Sequence, residues 1–102
     1  MNIGCDIVEN KRLKNKNKRF IELVLTKNEQ KEYKEKGLSY LTGRFAAKEA
    51  IMKCLNNTKE LTYQDIEILN DKNGKPITNI KNIELSISHE KNYTIAVALK
   101  TK

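Results

Sequence analysis

Two acids stand where acids are costly. Asp6 lies in the run Ile3-Gly4-Cys5-Asp6-Ile7-Val8, whose β-branched content predicts a short strand, and Asp is depleted in strands. Glu49 lies in the densest apolar stretch of the chain, residues 40–55. On a helical wheel of about 100° per residue with Glu49 at the origin, Phe45 falls at about −40°, Met52 at about −60°, Ala46 at about +60° and Lys53 at about +40°. Ala50, Cys54, Ala47, Ile51 and Leu55 fill the arc from about 100° to about 240°. Such a helix is apolar nearly all round, the mark of a buried or interface element. A carboxylate there needs a paired charge or a cation. Lys53, one turn on, offers a simple i,i+4 pair worth about 0.2–0.5 kcal/mol. Alternatively, Asp6 and Glu49 together hold Mg²⁺, which usually takes one or two carboxylates and completes its shell with water and phosphate. Asp6 has local alternatives as well, as a strand end or the N-cap of a following helix.

His89 is the only histidine, closing Leu85-Ser86-Ile87-Ser88-His89. It is expected near the surface at a strand end, where a structural role competes with a catalytic one. Neither Ser86 nor Ser88 sits in a Gly-x-Ser-x-Gly elbow. No Gly-x-x-x-x-Gly-Lys-Ser/Thr or Gly-x-Gly-x-x-Gly loop is present. Any phosphate must therefore be gripped by side chains and a metal.

The elements that must position these groups follow from periodicity. Asn2 to Val8 reads as a strand, and Lys11 to Leu25 as a helix with Leu13, Phe20 and Val24 at helical spacing. Thr26 followed by Glu29 is a capping-box pattern opening a second helix that Gly37 can end. The third helix spans about residues 40–55. After Asn56 the period changes to two: Ile66 and Ile68 flank Glu67, and Asp71-Lys72-Asn73-Gly74 supplies turn chemistry. Ile83, Leu85 and Ile87, then Ile95, Val97 and Leu99, alternate with smaller or polar residues, predicting a final antiparallel hairpin. Helices early and strands late make the class α+β. No internal repeat or Gly/Ser linker divides the chain.

The chain has 102 residues and a net charge of +7, enough for one domain spanning 1–102. Six of its 20 basic residues (Lys11, Arg12, Lys14, Lys16, Lys18 and Arg19) fall between positions 11 and 19, with no acid among them. The remaining 14 face 13 acids, so the excess charge is one segment, suited to an anionic partner or to a solvated face. Aromatic residues are 6% of the chain, too few to favour a nucleic-acid module that stacks bases, and no RRM or KH signature appears. No run of about 18 apolar residues exists. There is no signal-peptide pattern, and two cysteines are too few for a disulfide scaffold or a cysteine zinc site. The expectation is a reduced, cytoplasmic protein that engages neither membrane nor nucleic acid.

Three blocks in order resemble the small bacterial holo-[acyl-carrier-protein] synthases, the 4′-phosphopantetheinyl transferases of fatty-acid synthesis. They are Gly4-Cys5-Asp6-Ile7-Val8-Glu9, then Gly43-Arg44-Phe45-Ala46-Ala47-Lys48-Glu49-Ala50 continuing to Lys53, and Ser86-Ile87-Ser88-His89. Tyr63-Gln64-Asp65-Ile66-Glu67-Ile68 and Asn73-Gly74-Lys75-Pro76 fit similar segments of that family. The resemblance implies transfer of 4′-phosphopantetheine from coenzyme A to a serine of apo acyl carrier protein, releasing adenosine 3′,5′-bisphosphate. It implies Asp6 and Glu49 as Mg²⁺ ligands and Glu49 as base, directly or through a bound water. Lys53 would assist the leaving group. Arg44, Lys53 and His89 would contact the phosphates of coenzyme A. Arg12 foremost, with Lys16 and Arg19 on the same face of the first helix, would dock the acidic carrier. A homotrimer with sites at subunit interfaces is also implied. Two departures stand out: Leu55-Asn56-Asn57-Thr58 where the family often has a Gly-Thr-Gly turn, and Cys5 where an aliphatic residue is usual. Asn tolerates the left-handed conformation that the turn requires.

Overall fold

The computed structural model describes residues 2–56 and 60–101. Strand β1 (Asn2–Glu9) runs through a 3-10 turn (Asn10–Leu13) into helices α1 (Lys18–Val24), α2 (Lys27–Lys36) and α3 (Leu38–Cys54). A second 3-10 turn (Tyr63–Asp65) precedes β2 (Ile68–Asn70) and β3 (Pro76–Thr78), and the chain closes with β4 (Ile83–His89) and β5 (Tyr93–Lys100). Among the described residues β1, β5 and β4 form one antiparallel sheet in that order, while β2 and β3 form a small hairpin. The expected α+β class and terminal hairpin are borne out.

Local chemistry explains most boundaries. Thr26 Oγ1 accepts from the Glu29 amide while Glu29 Oε1 accepts from the Thr26 amide at 2.8 Å, the reciprocal box that opens α2. Gly37, at φ +77°, ends that helix in a conformation that costs a side-chained residue energy. Asp71 Oδ1 accepts from the amides of Asn73 and Lys75, closing the β2–β3 turn. Pro76 begins β3, a place in a short strand where its missing N–H does little harm. Asn56 takes a positive φ of 54°, as its tolerance for left-handed backbone allows. Asn57 and Thr58, the rest of that departure from the family turn, lie outside the described residues.

The helix expected over Lys11–Leu25 is corrected. It is broken into the Asn10–Leu13 turn and α1, with Asn15 between them at φ +64°. The physical reason lies in the asparagines. Asn17 turns its side chain onto the Phe20 amide at 2.9 Å and caps a new helix instead of continuing an old one. The break lets Leu13 enter the core while Arg12 stays exposed.

Helix α3 lies across one face of the β1-β5-β4 sheet. Ala46, Ala47 and Ala50 on the helix and Ala96 and Ala98 on β5 are wholly buried, and their small size lets helix and sheet approach closely. Gly4 is the limiting case: a Cβ there would sit 2.0 Å from the Ala50 carbonyl oxygen and 2.6 Å from the Cys54 amide nitrogen. Val24, Leu25, Leu41, Ile51, Ile66 and Ile68 complete the core, each apolar side chain contributing about 1.5–3 kcal/mol by burial. The other face of the sheet is left bare: Ile3, Ile7 and Tyr93 are 64%, 61% and 45% exposed.

Candidate active site

Strand alternation puts Asp6 on the inner face of β1 between Gly4 and Val8, opposite Ala96 of β5. Because Gly4 brings β1 against the end of α3, Asp6 meets Lys53: Nζ donates to Asp6 Oδ1 at 3.0 Å and to the Cys5 carbonyl at 3.0 Å. Lys53 therefore pairs with Asp6 rather than with Glu49, the i,i+4 partner the wheel offered. The hydrogen bond it donates to Asp6 raises the Lys53 ammonium above its usual range, so it is charged at neutral pH. Glu49 accepts instead from the Tyr63 hydroxyl at Oε2. Burial, then that hydrogen bond, push the Tyr63 phenol upward, so it stays the donor.

Asp6 and Glu49 line one cavity of about 390 Å³, with Phe20 and Phe45 as its apolar wall and Arg12 and Lys16 at its basic side. The described hydrogen bonds engage Oδ1 of Asp6 and Oε2 of Glu49, one oxygen of each carboxylate, so the donor set left to a ligand consists of hard carboxylate oxygens. That set fits Mg²⁺, which needs few protein ligands. Among the described residues no group of three or more His, Cys, Asp or Glu is placed to hold a metal ion, so Asp6 and Glu49 would leave most of the shell to water and phosphate.

The remaining expected residues separate. Arg12 and Lys16 reach the cavity; Arg19 is exposed on α1 and is not among its lining residues. The expectation that all three share one helical face is corrected by the break at Asn15. His89 sits at the exposed end of β4, as expected, but lines a different recess of about 300 Å³ with Ile7, Tyr93 and Ile95. Its Nδ1 lies 3.0 Å from Thr94 Oγ1, whose own hydroxyl donates to Asn10 Oδ1 at 2.7 Å. The imidazole packs against Gly43, where a Cβ would come within 3.1 Å of Cε1. Burial and then the Arg44 charge lower its pKa. Arg44 is not brought to the carboxylates. It is 5% exposed, donates to the Ile68 carbonyl at 2.9 Å and to Asn70 Oδ1 at 3.0 Å, and stacks on Tyr40.

Two residues to which the sequence reading gave no role in the site matter here. Lys48 is wholly buried, donating to Glu29 Oε1 at 2.6 Å, the Val24 carbonyl at 2.7 Å and the Tyr63 carbonyl at 3.0 Å. Glu29 Oε2 in turn accepts from the Ile68 amide at 2.7 Å. Burial lowers the Lys48 pKa and Glu29 opposes that shift. Tyr63 is the other, named in the sequence only within the Tyr63–Ile68 block; the Thr62–Asp65 spacing, a capping box in the structure, is the signal that marks the turn around it.

The chain as a whole is similar to known proteins. A family model described as 4′-phosphopantetheinyl transferase superfamily matches residues 2–98. The holo-[acyl-carrier-protein] synthase of Mycoplasma capricolum is 46% identical over 103 residues, covering 97% of this chain and 93% of that one. That of Oceanobacillus iheyensis is 40% identical over 114 residues, covering 98% and 96%. A holo-(acyl-carrier-protein) synthase structure from Bacillus anthracis, in complex with CoA (3′,5′-ADP), superposes with a TM-score of 0.87 at 40% identity, covering 95% of this chain and 92% of that one. The Helicobacter pylori synthase in complex with coenzyme A gives 0.84 at 33% identity, covering 95% and 97%.

Proposed function

The chain belongs to the 4′-phosphopantetheinyl transferase superfamily, and on that premise we propose that it moves the 4′-phosphopantetheine arm of coenzyme A onto a serine of apo acyl carrier protein, leaving adenosine 3′,5′-bisphosphate. The observation that carries the proposal is the shared cavity: Asp6 from β1 and Glu49 from α3 face it, and Arg12 and Lys16 flank it. In this reading the chain acts as a single domain, in the cytoplasm, in the supply of holo carrier for fatty-acid synthesis. The free thiols Cys5 and Cys54 suit a reducing compartment.

The chemistry divides among the chain's own groups. Asp6 and Glu49 would hold Mg²⁺, which supplies charge neutralisation at the pyrophosphate of the donor. Glu49 accepts the proton of the attacking serine hydroxyl, directly or through a bound water. Lys53, charged and beside Asp6, stabilises the negative charge that builds on the departing phosphate. Arg12 and Lys16, on the basic side of the cavity, draw in the acidic carrier and raise its association rate, and Arg19, exposed on α1 outside the cavity, adds to the positive field.

His89 needs a second subunit. Its recess borders Ile7, Tyr93 and Ile95 on the bare sheet face. A neighbouring copy packed on that face, in a homotrimer, would set His89 of one subunit beside the carboxylates of the next, where it contacts coenzyme A phosphate. The buried Arg44 guanidinium behind it adds positive charge. This arrangement explains why one chain alone keeps His89 and Glu49 in separate recesses.

The test is the intact mass of apo acyl carrier protein incubated with this protein, coenzyme A and Mg²⁺. A gain of roughly 340 Da that EDTA abolishes is the expected result for metal-assisted transfer of the arm. No gain with several carriers, from folded protein, overturns the proposal.

A further inference from the structure

Lys48 and Glu49, neighbours on α3, hold Tyr63 at its two ends. Lys48 Nζ donates to the Tyr63 carbonyl at 3.0 Å, and the Tyr63 hydroxyl donates to Glu49 Oε2. The lysine end is rigid, because Lys48 is wholly buried and paired with a Glu29 that is itself fastened to the amides of Thr26 and Ile68. The turn carrying Tyr63 is closed by Thr62 and Asp65, and Gln64 Nε2 anchors it by donating to the Leu25 carbonyl at 2.8 Å. The Tyr63 ring lies 5.9 Å from that of Phe45, which lies 6.2 Å from Phe20 in the cavity wall.

We propose that Tyr63 is the positioning residue for Glu49, holding one carboxylate oxygen so that the other faces Asp6 across the cavity. A glutamate has three side-chain torsions to fix, and ordering them at the moment of ligand binding costs affinity. A donor fixed to a buried ion pair settles that order beforehand. Partners of this kind, one step removed from a ligating carboxylate, govern metal affinity and rate. The inference rests on the proposed transferase reading.

The test compares wild type, Tyr63→Phe and Glu49→Gln, with Mn²⁺ binding followed by electron paramagnetic resonance and transfer followed by carrier mass. Tyr63→Phe keeps the ring against Phe45 and deletes only the donor. Its expected result is Mn²⁺ binding weakened about tenfold and kcat lowered by about as much, with KM for the carrier unchanged. Glu49→Gln should lose Mn²⁺ binding altogether. Wild-type values in Tyr63→Phe, beside a dead Glu49→Gln, overturn the inference and leave the transferase reading standing. A wild type that neither binds Mn²⁺ nor transfers overturns the reading itself. A second measurement requires no variant: the ring resonances of Tyr63 in wild type should shift with Mg²⁺ at the concentration that half-saturates binding. Resonances unmoved at saturation also overturn the inference.

Discussion

Lys53 Nζ lies 3.0 Å from Asp6 Oδ1, tying the last turn of α3 to the middle of β1. Lys53 is half exposed, so the pair contributes at most about 1 kcal/mol to folding, and its value lies in placing a cation beside a carboxylate. Lys53→Met should therefore leave the melting temperature nearly unchanged while lowering kcat about 10²-fold. Thermal melts and transfer rates on the same preparation check this. A melt that collapses with the rate would make Lys53 a structural residue.

Arg12→Glu reverses a charge on the basic side of the cavity. The expected outcome is a KM for the carrier protein raised at least about tenfold, a flattened dependence on salt, and a kcat close to wild type. Initial rates at several ionic strengths decide it. An unchanged carrier KM and salt slope would remove Arg12 from docking.

Gly4→Ala would push a methyl group into the backbone of α3 at Ala50 and Cys54. Neither neighbour is a flexible side-chain end, so the strand must move. A loss of about 3 kcal/mol in chemical denaturation is expected, the upper end for overpacking, with activity falling further because Asp6 moves with the strand. Stability equal to wild type would show that β1 shifts freely.

Lys48→Met removes one member of a wholly buried ion pair. Leaving Glu29 uncompensated should cost about 3–5 kcal/mol. The double variant Lys48→Met/Glu29→Gln should cost less than the two single changes together, since no lone charge is then buried. Additive losses in urea denaturation would argue against coupling.

His89 should titrate below 6.5, because burial and the Arg44 charge both disfavour its protonated form. With the folded value depressed, the folded state binds fewer protons than the unfolded chain between that value and 6.5. The associated stability is then fully present above 6.5 and is lost as pH falls through the folded value. As the only histidine, its ring protons can be followed without ambiguity by NMR. A midpoint at or above 6.5 contradicts the packing described for Gly43 and Thr94.

Features that depend on near neighbours in the chain were legible in the sequence. The Thr26–Glu29 box, the stop at Gly37 and the Asp71–Gly74 turn each arise from contacts across a few residues, so spacing is enough to find them, and the strands showed through the period of two that the pleat imposes although their partners lie far along the chain. Asp6 and Glu49 were legible for a different reason: a carboxylate among apolar residues is costly wherever the chain goes. The break at Asn15 and Asn17 was not read from the sequence, where the helical spacing of Leu13, Phe20 and Val24 pointed to one continuous helix.

Only the tertiary structure decided which partner each charge takes. Lys53 chose Asp6 over Glu49, Glu49 took Tyr63, and Lys48 went inward to Glu29. Each pair spans 14 residues or more, and the energy of a hydrogen bond is settled by a few tenths of an ångström. No pattern along the chain encodes a distance that small between segments so far apart. That accuracy comes from the close packing of α3 on the sheet, where Gly4 and a row of alanines set how near the two can come.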